Sequence, residues 1–473
     1  MVAIGAWVAC VALIVFNLLK HGLWLDETHA WCIVRDSASF SDFRWNMRNE
    51  GHPWLWHALL WPLAKSGAPV GSMQVLHGLI AAATCTVVLL RSPFSLSVRV
   101  LLVLGYFLLF EYAALSRNYA IGILLVLLIT DRIRSQREGT AFILLLILPQ
   151  VHLWAACLVA SWAILDMLKP QLFPRWKNML LVLSSGLALG CVLPTDPLPY
   201  SPDPARLLNI DTYRSTAIQL TKAFVPIPNV DAVHVWNSSI FTDGDHALAI
   251  WTGPLLLVAL IGLLPLDRWG RTRFIIGSLA VLVLPLLAPF LSQRYVGPLL
   301  AIAVACLWAW PSTGKPAPWP VKALVAVVLI LQVAGGLAMS YITWQRPFSL
   351  SREAARSIDG ANGPVLVMRY DAAPSISAYL GAPVYLVFRH DMGSYCRWND
   401  PRSIATMDDL SIALRDLAPL NAQVVSEGEL DHHIVNAAGY GIRASTPFTG
   451  SLLRHEDHVV TTLVRLNELR SPL

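Results

Sequence analysis

Eleven apolar runs, separated by short basic or polar loops, leave this chain few folds to choose from. The runs are 2–19, 71–90, 100–115, 118–130, 140–149, 150–168, 178–194, 247–266, 274–291, 296–311 and 321–342. A helix needs about 20 apolar residues to cross the hydrocarbon core, fewer where the bilayer is thinned or shielded. Hydrophobic residues are 55% of the 473 and charged residues only 14%, whereas charged residues make up about a quarter of a soluble protein. The sequence therefore predicts a polytopic α-helical membrane protein of about 11 spans. The first run leads into Lys20-His21 and an acidic loop without a small-residue cleavage site, so it is expected to be retained as a span.

Orientation follows from the Lys/Arg-rich loops 91–99, 131–138, 169–177, 267–273 and 315–322, which the positive-inside rule assigns to the cytoplasm. Basic loops at 131–138 and 169–177 require two crossings between them, so 140–168 is expected to be a hairpin turning near Pro149–His152. The same parity puts Ser116–Tyr119 at an outer turn. With a cytoplasmic N-terminus, the first run delivers residues 20–70 to the outer side. Segment 53–66, flanked by Pro53 and Pro62, is then too short to cross and reads as an interfacial or re-entrant helix. Residues 195–246 form a second outer loop, Pro-rich at its start and acidic at its end. The net charge of +5 resides in these short loops and records topology rather than nucleic-acid binding.

Beyond residue 344 the pattern changes. Strands are expected at 365–368, 383–388, 422–425 and 459–464 and helices at 374–380 and 402–417, an alternation that predicts a small α/β domain. Eleven crossings place it outside. Domain organisation is thus 1–344, a membrane domain with outer loops 20–70 and 195–246, then 345–473, an extracytoplasmic α/β domain. Cys32 and Cys396 lie in polar segments, and a disulfide between them is left open because sequence does not establish geometry.

Chemistry is expected around the stretch 22–57, which opens on Asp26-Glu27 and closes on Glu50-Gly51-His52-Pro53 before His57. Trp24, Trp31, Trp45, Trp54, Trp56 and Trp61 lie in or just after it, as suits a segment at a membrane surface. A carboxylate at the mouth of a span can accept a proton from an acceptor hydroxyl or hold a divalent cation; the competing role for Asp26 and Glu27 is to cap the following helix. His29, His52 and His57 lack tight ligand spacing, so no metal site is assigned. Arg117 in Ser-Arg-Asn-Tyr-Ala and Arg294 in Gln-Arg-Tyr stand at membrane depth on the deduced outer side, where a cation is costly unless paired or functional. A guanidinium forks two hydrogen bonds onto oxyanions, which points to a lipid phosphate or diphosphate; Glu111 or Asp26 are the alternative ion-pair partners for Arg117. Tyr119, Tyr295, His52, His152 and Lys222 are candidates to complete that phosphate site, with Arg214 a further loop cation.

Taken in order, Leu25-Asp26-Glu27, Gly51–His57, Ser116–Ala120 and Gln293–Pro298 resemble the motifs of the GT-C glycosyltransferases, in the branch that holds the protein mannosyltransferases and the lipid A aminoarabinose transferases. Trp54 departs from the pattern, relatives often having a second Pro there. The resemblance implies a polyprenyl-phosphate-linked sugar as donor, an acceptor hydroxyl on a glycan, lipid or protein, and inversion at the anomeric carbon. It implies Asp26 as the catalytic carboxylate, Arg294 as a ligand of the carrier phosphate, and a bacterial inner membrane as the location. Cofactors are left at none, with assistance by a divalent cation open. The alternative weighed beside it is a polyprenyl-lipid binding or flipping protein that makes no bond; a flippase should show charged residues deep in several spans, and the runs here hold almost none.

Overall fold

The computed structural model describes residues 2–169, 172–193, 201–232, 234–243, 246–287, 292–312, 317–358, 363–398 and 404–469. The start of the Pro-rich loop (195–200), the end of the run 274–291, Lys315 and the first residues of the expected helix 402–417 lie outside them. The chain forms two compact units that interleave in sequence: 1–19, 48–56 and 75–342 make one, and 20–47, 57–74 and 343–473 make the other.

The first unit is helical. Val2–Lys20, Gly71–Arg91, Arg268–Leu287 and Trp319–Gln345 are long and apolar enough to cross a membrane, with shorter apolar helices at Glu138–Gln150, Leu153–Leu168, Leu248–Leu263 and Gln293–Ala309. Leu79, Leu279 and Ile330 on these helices are exposed, as side chains are where lipid is the solvent. The protein is therefore a helix-rich, membrane-associated chain with a C-terminal sheet. Leu153–Leu168 packs against Arg175–Gly190 and Arg268–Leu287, and Pro298–Ala309 packs against Arg268–Leu287 and Tyr119–Arg134. A buried pair ties part of this together: Arg273 Nη2 donates to Asp166 Oδ1 at 2.7 Å. Asp166 Oδ2 also takes the Phe173 N–H at 3.0 Å and the Asn178 amide at 3.2 Å.

Several helices of this unit are interrupted, and the interruptions have local causes. Helix Leu96–Leu104 stops at Gly105 and gives way to a π-helical turn, Phe107–Glu111. The expected hairpin within 140–168 breaks where Pro149 sits in a 3₁₀ turn and His152 caps the next helix, its Nδ1 accepting from Trp154 N at 3.2 Å. Pro298 cannot donate a backbone hydrogen bond and begins a new helix after the short Gln293–Val296 turn.

The second unit is built on a six-stranded sheet of β1 (Val365–Val367), β2 (Val384–Leu386), β3 (Asp391–Gly393), β4 (Asn421–Ser426), β5 (Tyr440–Phe448) and β6 (His458–Arg465), ordered β3-β2-β1-β4-β6-β5. β2, β1 and β4 are parallel; β3, β6 and β5 add antiparallel. Leu366, Val367, Ile376, Leu386, Val424 and Leu463 lie in its core. Helix 402–417 was expected earlier than it begins. Thr406 Oγ1 accepts from Asp409 N and Asp409 Oδ2 from Thr406 N, a reciprocal cap that starts the helix at Met407.

Helix Leu25–Asp36 belongs to this sheet unit although it is distant in sequence. It lies on helix Ala373–Leu380: Thr28 Oγ1 is 3.0 Å from Ser375 Oγ, and Arg35 Nη1 donates to the Ser377 carbonyl at 2.8 Å. The Leu23 N–H donates to Tyr379 Oη at 2.9 Å. Cys32 and Cys396 are not bonded to each other; their thiols point to the carbonyls of Pro374 and Tyr370, and burial pushes the Cys32 thiol up to about 12.

Candidate functional site

In the first unit the breaks bring together residues from five separate places in the sequence. Arg117 Nη2 donates to His52 Nε2 at 2.8 Å; a guanidinium has no acceptor, so this nitrogen of His52 is unprotonated. The His52 ring lies 5.0 Å from His152, and His152 lies 4.6 Å from Tyr119 and 6.1 Å from Tyr295. Arg294 sits over the rings of Tyr295 (5.4 Å) and Trp236 (5.5 Å). Of the phosphate-site candidates, Arg117, His52, His152, Tyr119, Tyr295 and Arg294 thus form one cluster.

Hydrogen bonds between the breaks hold it. Asn118 Nδ2 donates to the Val151 carbonyl at 2.8 Å, and Tyr112 Oη donates to the Arg294 carbonyl at 2.8 Å. Tyr112 stacks on Tyr119 with centroids 5.5 Å apart and planes 6° from parallel. Beneath Arg294, Glu111 Oε2 takes Tyr106 Oη at 2.8 Å and Trp236 Nε1 at 2.9 Å. Glu111 therefore has partners of its own in Tyr106 and Trp236.

Tyr119 Oη and His152 Nε2 have no partner among the described residues, although Tyr119 is 2% and His152 1% exposed. Because His152 Nδ1 accepts the Trp154 N–H, Nε2 carries a hydrogen. Buried donors are ordinarily satisfied, so a phenol and an imidazole N–H left open beside two guanidinium groups make a ready set for an oxyanion. Lys222 is not among them: its Nζ donates to the Asn237 carbonyl at 2.7 Å and lies 3.9 Å from Asp243. It supports the cluster only indirectly, since Asn237 Oδ1 accepts from Gln293 N at 3.0 Å.

Tyr112 and Gly297 are shared with an apolar cavity of about 580 Å³ that runs past Val98, Leu102, Leu127, Leu300, Val304 and Leu329 to Ser95 and Lys322. Its volume is in the range of small-ligand sites, about 300–1,000 Å³. At Gly297 an added Cβ would collide with Phe107 Cε1 and Tyr112 Oη, so only glycine fits between the aromatic rings there.

The acid pair lies in the second unit, at the first turn of helix Leu25–Asp36. Glu27 is fully buried; its Oε2 takes the Trp24 N–H at 3.2 Å and lies 2.7 Å from His21 Nε2. The Leu25 N–H goes to Glu456 Oε1 at 2.8 Å. Glu27 and Glu456 therefore cap the helix, and Asp26, which is only half-buried, is not needed for that role. His29 is one turn on from Asp26; its Nδ1 accepts from Cys396 N at 3.2 Å, and its ring lies 5.1 Å from Trp398. Among the described residues no group of three or more His, Cys, Asp or Glu side chains is placed to hold a metal ion.

Sequence reading did not single out Tyr106, Tyr112 or Trp236, named Gln293 only within its motif, and named Glu111 only as a partner. An acid within the apolar run 100–115 was the available signal. No family model matches the chain, and no curated protein matches it in sequence.

Proposed function

We propose that the protein is a membrane glycosyltransferase of GT-C type, with about 11 spans and its sheet unit outside the bacterial inner membrane, that moves a sugar from a polyprenyl-phosphate carrier to an acceptor hydroxyl. The observation that carries the reading is that a largely apolar cavity, lined in part by Tyr112 and Gly297, adjoins through Tyr112 a cluster of two Arg and two unpartnered buried donors. A lipid phosphate has both halves of that chemistry in one molecule, a hydrocarbon chain and an oxyanion.

Arg117 and Arg294 fork onto the phosphate oxygens, with Tyr119 Oη and His152 Nε2–H adding donors. As the glycosyl–oxygen bond breaks, the phosphate takes up negative charge and these preorganised donors stabilise it. The resemblance makes Asp26 the general base, which would receive the acceptor's proton as its oxygen attacks the anomeric carbon. It is preferred to Glu27 because Glu27 is committed to His21 and to the Trp24 amide. One displacement inverts the anomeric centre.

The test is transfer by the detergent-solubilised protein with a panel of polyprenyl-phosphate sugars, comparing wild type with Asp26→Asn and Glu27→Gln. We expect one donor to be consumed and Asp26→Asn to lower turnover by about 10²-fold or more with carrier binding retained. Carrier binding without consumption of any donor by the wild type would replace this reading with a lipid-binding or flipping protein.

A further inference from the structure

The buried acid Glu456 is used by neither the cluster nor the cap alone. Its Oε1 accepts the Leu25 N–H at 2.8 Å, one residue before Asp26, and its Oε2 accepts from Ser349 Oγ and Ser351 Oγ, each at 2.8 Å. Ser351 Oγ also lies 2.7 Å from His458 Nε2. Glu456, Ser351 and His458 are 1%, 0% and 2% exposed. Serine, histidine and a carboxylate suggest a nucleophile triad, but Ser351 is sealed from any substrate and stands between the other two. It is a link in a chain, not a nucleophile.

We propose that Glu456 is a positioning residue for Asp26, gripping the Leu25 amide at the start of the acidic helix and adjusting that grip as a proton enters the Ser351–His458 chain. This rests on the reading of Asp26 as the base. Ser351 has one hydroxyl hydrogen and two acceptors within reach. With Glu456 ionised, Ser351 donates to Oε2 and His458 Nε2–H donates to Ser351 Oγ; Oε1 takes the Leu25 N–H as a charge-assisted bond. When Oε2 gains a proton it donates to Ser351 Oγ, and the Ser351 hydroxyl turns to His458 Nε2. The imidazole then carries its hydrogen on Nδ1 instead, so net uptake is one proton. The Leu25 amide is left with a neutral, weaker acceptor.

The surroundings set this exchange near neutrality. Burial pushes the Glu456 carboxyl up to about 7, opposed by the Leu25 amide and the two serine hydroxyls and assisted by the charge of Asp371. Burial pushes His458 down to about 4, so it takes part as a tautomer and not as a cation. Of the charged groups nearby, Arg369 Nε donates to Asp371 Oδ1 at 2.9 Å, Asp457 takes the Ser451 N–H at 2.8 Å, Glu27 holds His21, and Arg352 reaches the His21 carbonyl. His455, next to Glu456, has its ring 6.1 Å from Trp24.

The experiment uses the full chain in detergent, as wild type, Glu456→Gln and Ser351→Ala, with two readouts between pH 5.5 and 8.5. The first is hydrogen exchange of the peptide spanning Gly22–Trp31, corrected for intrinsic rate; the second is transfer from whichever polyprenyl-phosphate sugar the wild type consumes. Protection of Leu25 in the wild type should rise about tenfold through pH 7, with turnover rising alongside. Glu456→Gln keeps an acceptor for the amide and should be flat at the low-pH level in both readouts. Ser351→Ala removes a donor to the carboxylate and should move the midpoint to higher pH. Exchange and rate midpoints unchanged in Glu456→Gln would overturn the proposal. If the wild type transfers no sugar but exchange behaves as described, Glu456 still grips Leu25 and it is the base assignment that falls. If transfer depends on Asp26 but exchange is the same in wild type and Glu456→Gln, the positioning role falls and the transferase reading stands.

Discussion

Residues at the start of helix Leu25–Asp36 show how burial sorts chemically similar groups. Three carboxylates serve this turn: Glu27 is sealed against His21, Glu456 is sealed against two serines, and Asp26 alone retains access to solvent. Sequence can find the adjacent pair but cannot tell which member caps, because capping depends on where the Trp24 amide points. It cannot find Glu456 at all, which arrives from 431 residues away. Titration should expose this third acid in stability as well as in exchange. Its folded value near 7 lies above the ordinary carboxylate value of 4.5, so the folded state holds the proton more tightly. That contribution is fully present below about pH 4.5 and is lost as pH rises through 7. The amount is about 3 kcal/mol at most, at 1.36 kcal/mol per unit. The melting temperature should therefore fall more steeply from pH 5 to pH 8 in the wild type than in Glu456→Gln, as read by differential scanning fluorimetry.

At the scale of elements, what was legible was the apolar run and what was not was the break within it. The runs 118–130, 150–168 and 321–342 are recovered as helices Tyr119–Arg134, Leu153–Leu168 and Trp319–Gln345. The run 100–115, read as one span, is instead a short helix and a π turn, because Gly105 interrupts it. In the sheet, β1, β2, β4 and β6 were legible as apolar stretches. β5 was not, since Arg443–Pro447 are all exposed, and an edge strand lacks the apolar alternation that marks a half-buried one. β3, Asp391-Met392-Gly393, holds one apolar residue and so no apolar stretch marks it. The breaks matter more than the helices for the proposed site, because Glu111, Arg117, His152 and Arg294 all stand at them. Gly297→Ala tests this directly. Its new methyl meets both Phe107 and Tyr112, and overpacking costs about 1–3 kcal/mol. We expect a lower melting temperature and about tenfold weaker binding of a polyprenyl phosphate, whereas Gly186→Ala, in a helix with nothing within 4 Å, should lower neither.

Across the whole molecule, sequence order and spatial order diverge. A boundary near residue 344 follows from composition, yet residues 20–47 and 57–74 are packed with the sheet unit while 48–56 is packed with the helices. Composition changes along the chain cannot reveal a segment that leaves one compact unit and joins another, since such a segment keeps the composition of a loop. The proposed carrier site is less affected, because its Arg, His and Tyr residues and the cavity below them all belong to the helical unit. The most direct measurement is lipid extraction and mass spectrometry of the protein purified from membranes, as wild type and as Arg117→Gln/Arg294→Gln with its fold checked by melting temperature. The account predicts a polyprenyl phosphate retained by the wild type and lost from the double variant. Absence of any isoprenoid phosphate from the wild type, or equal retention by both proteins, would contradict it.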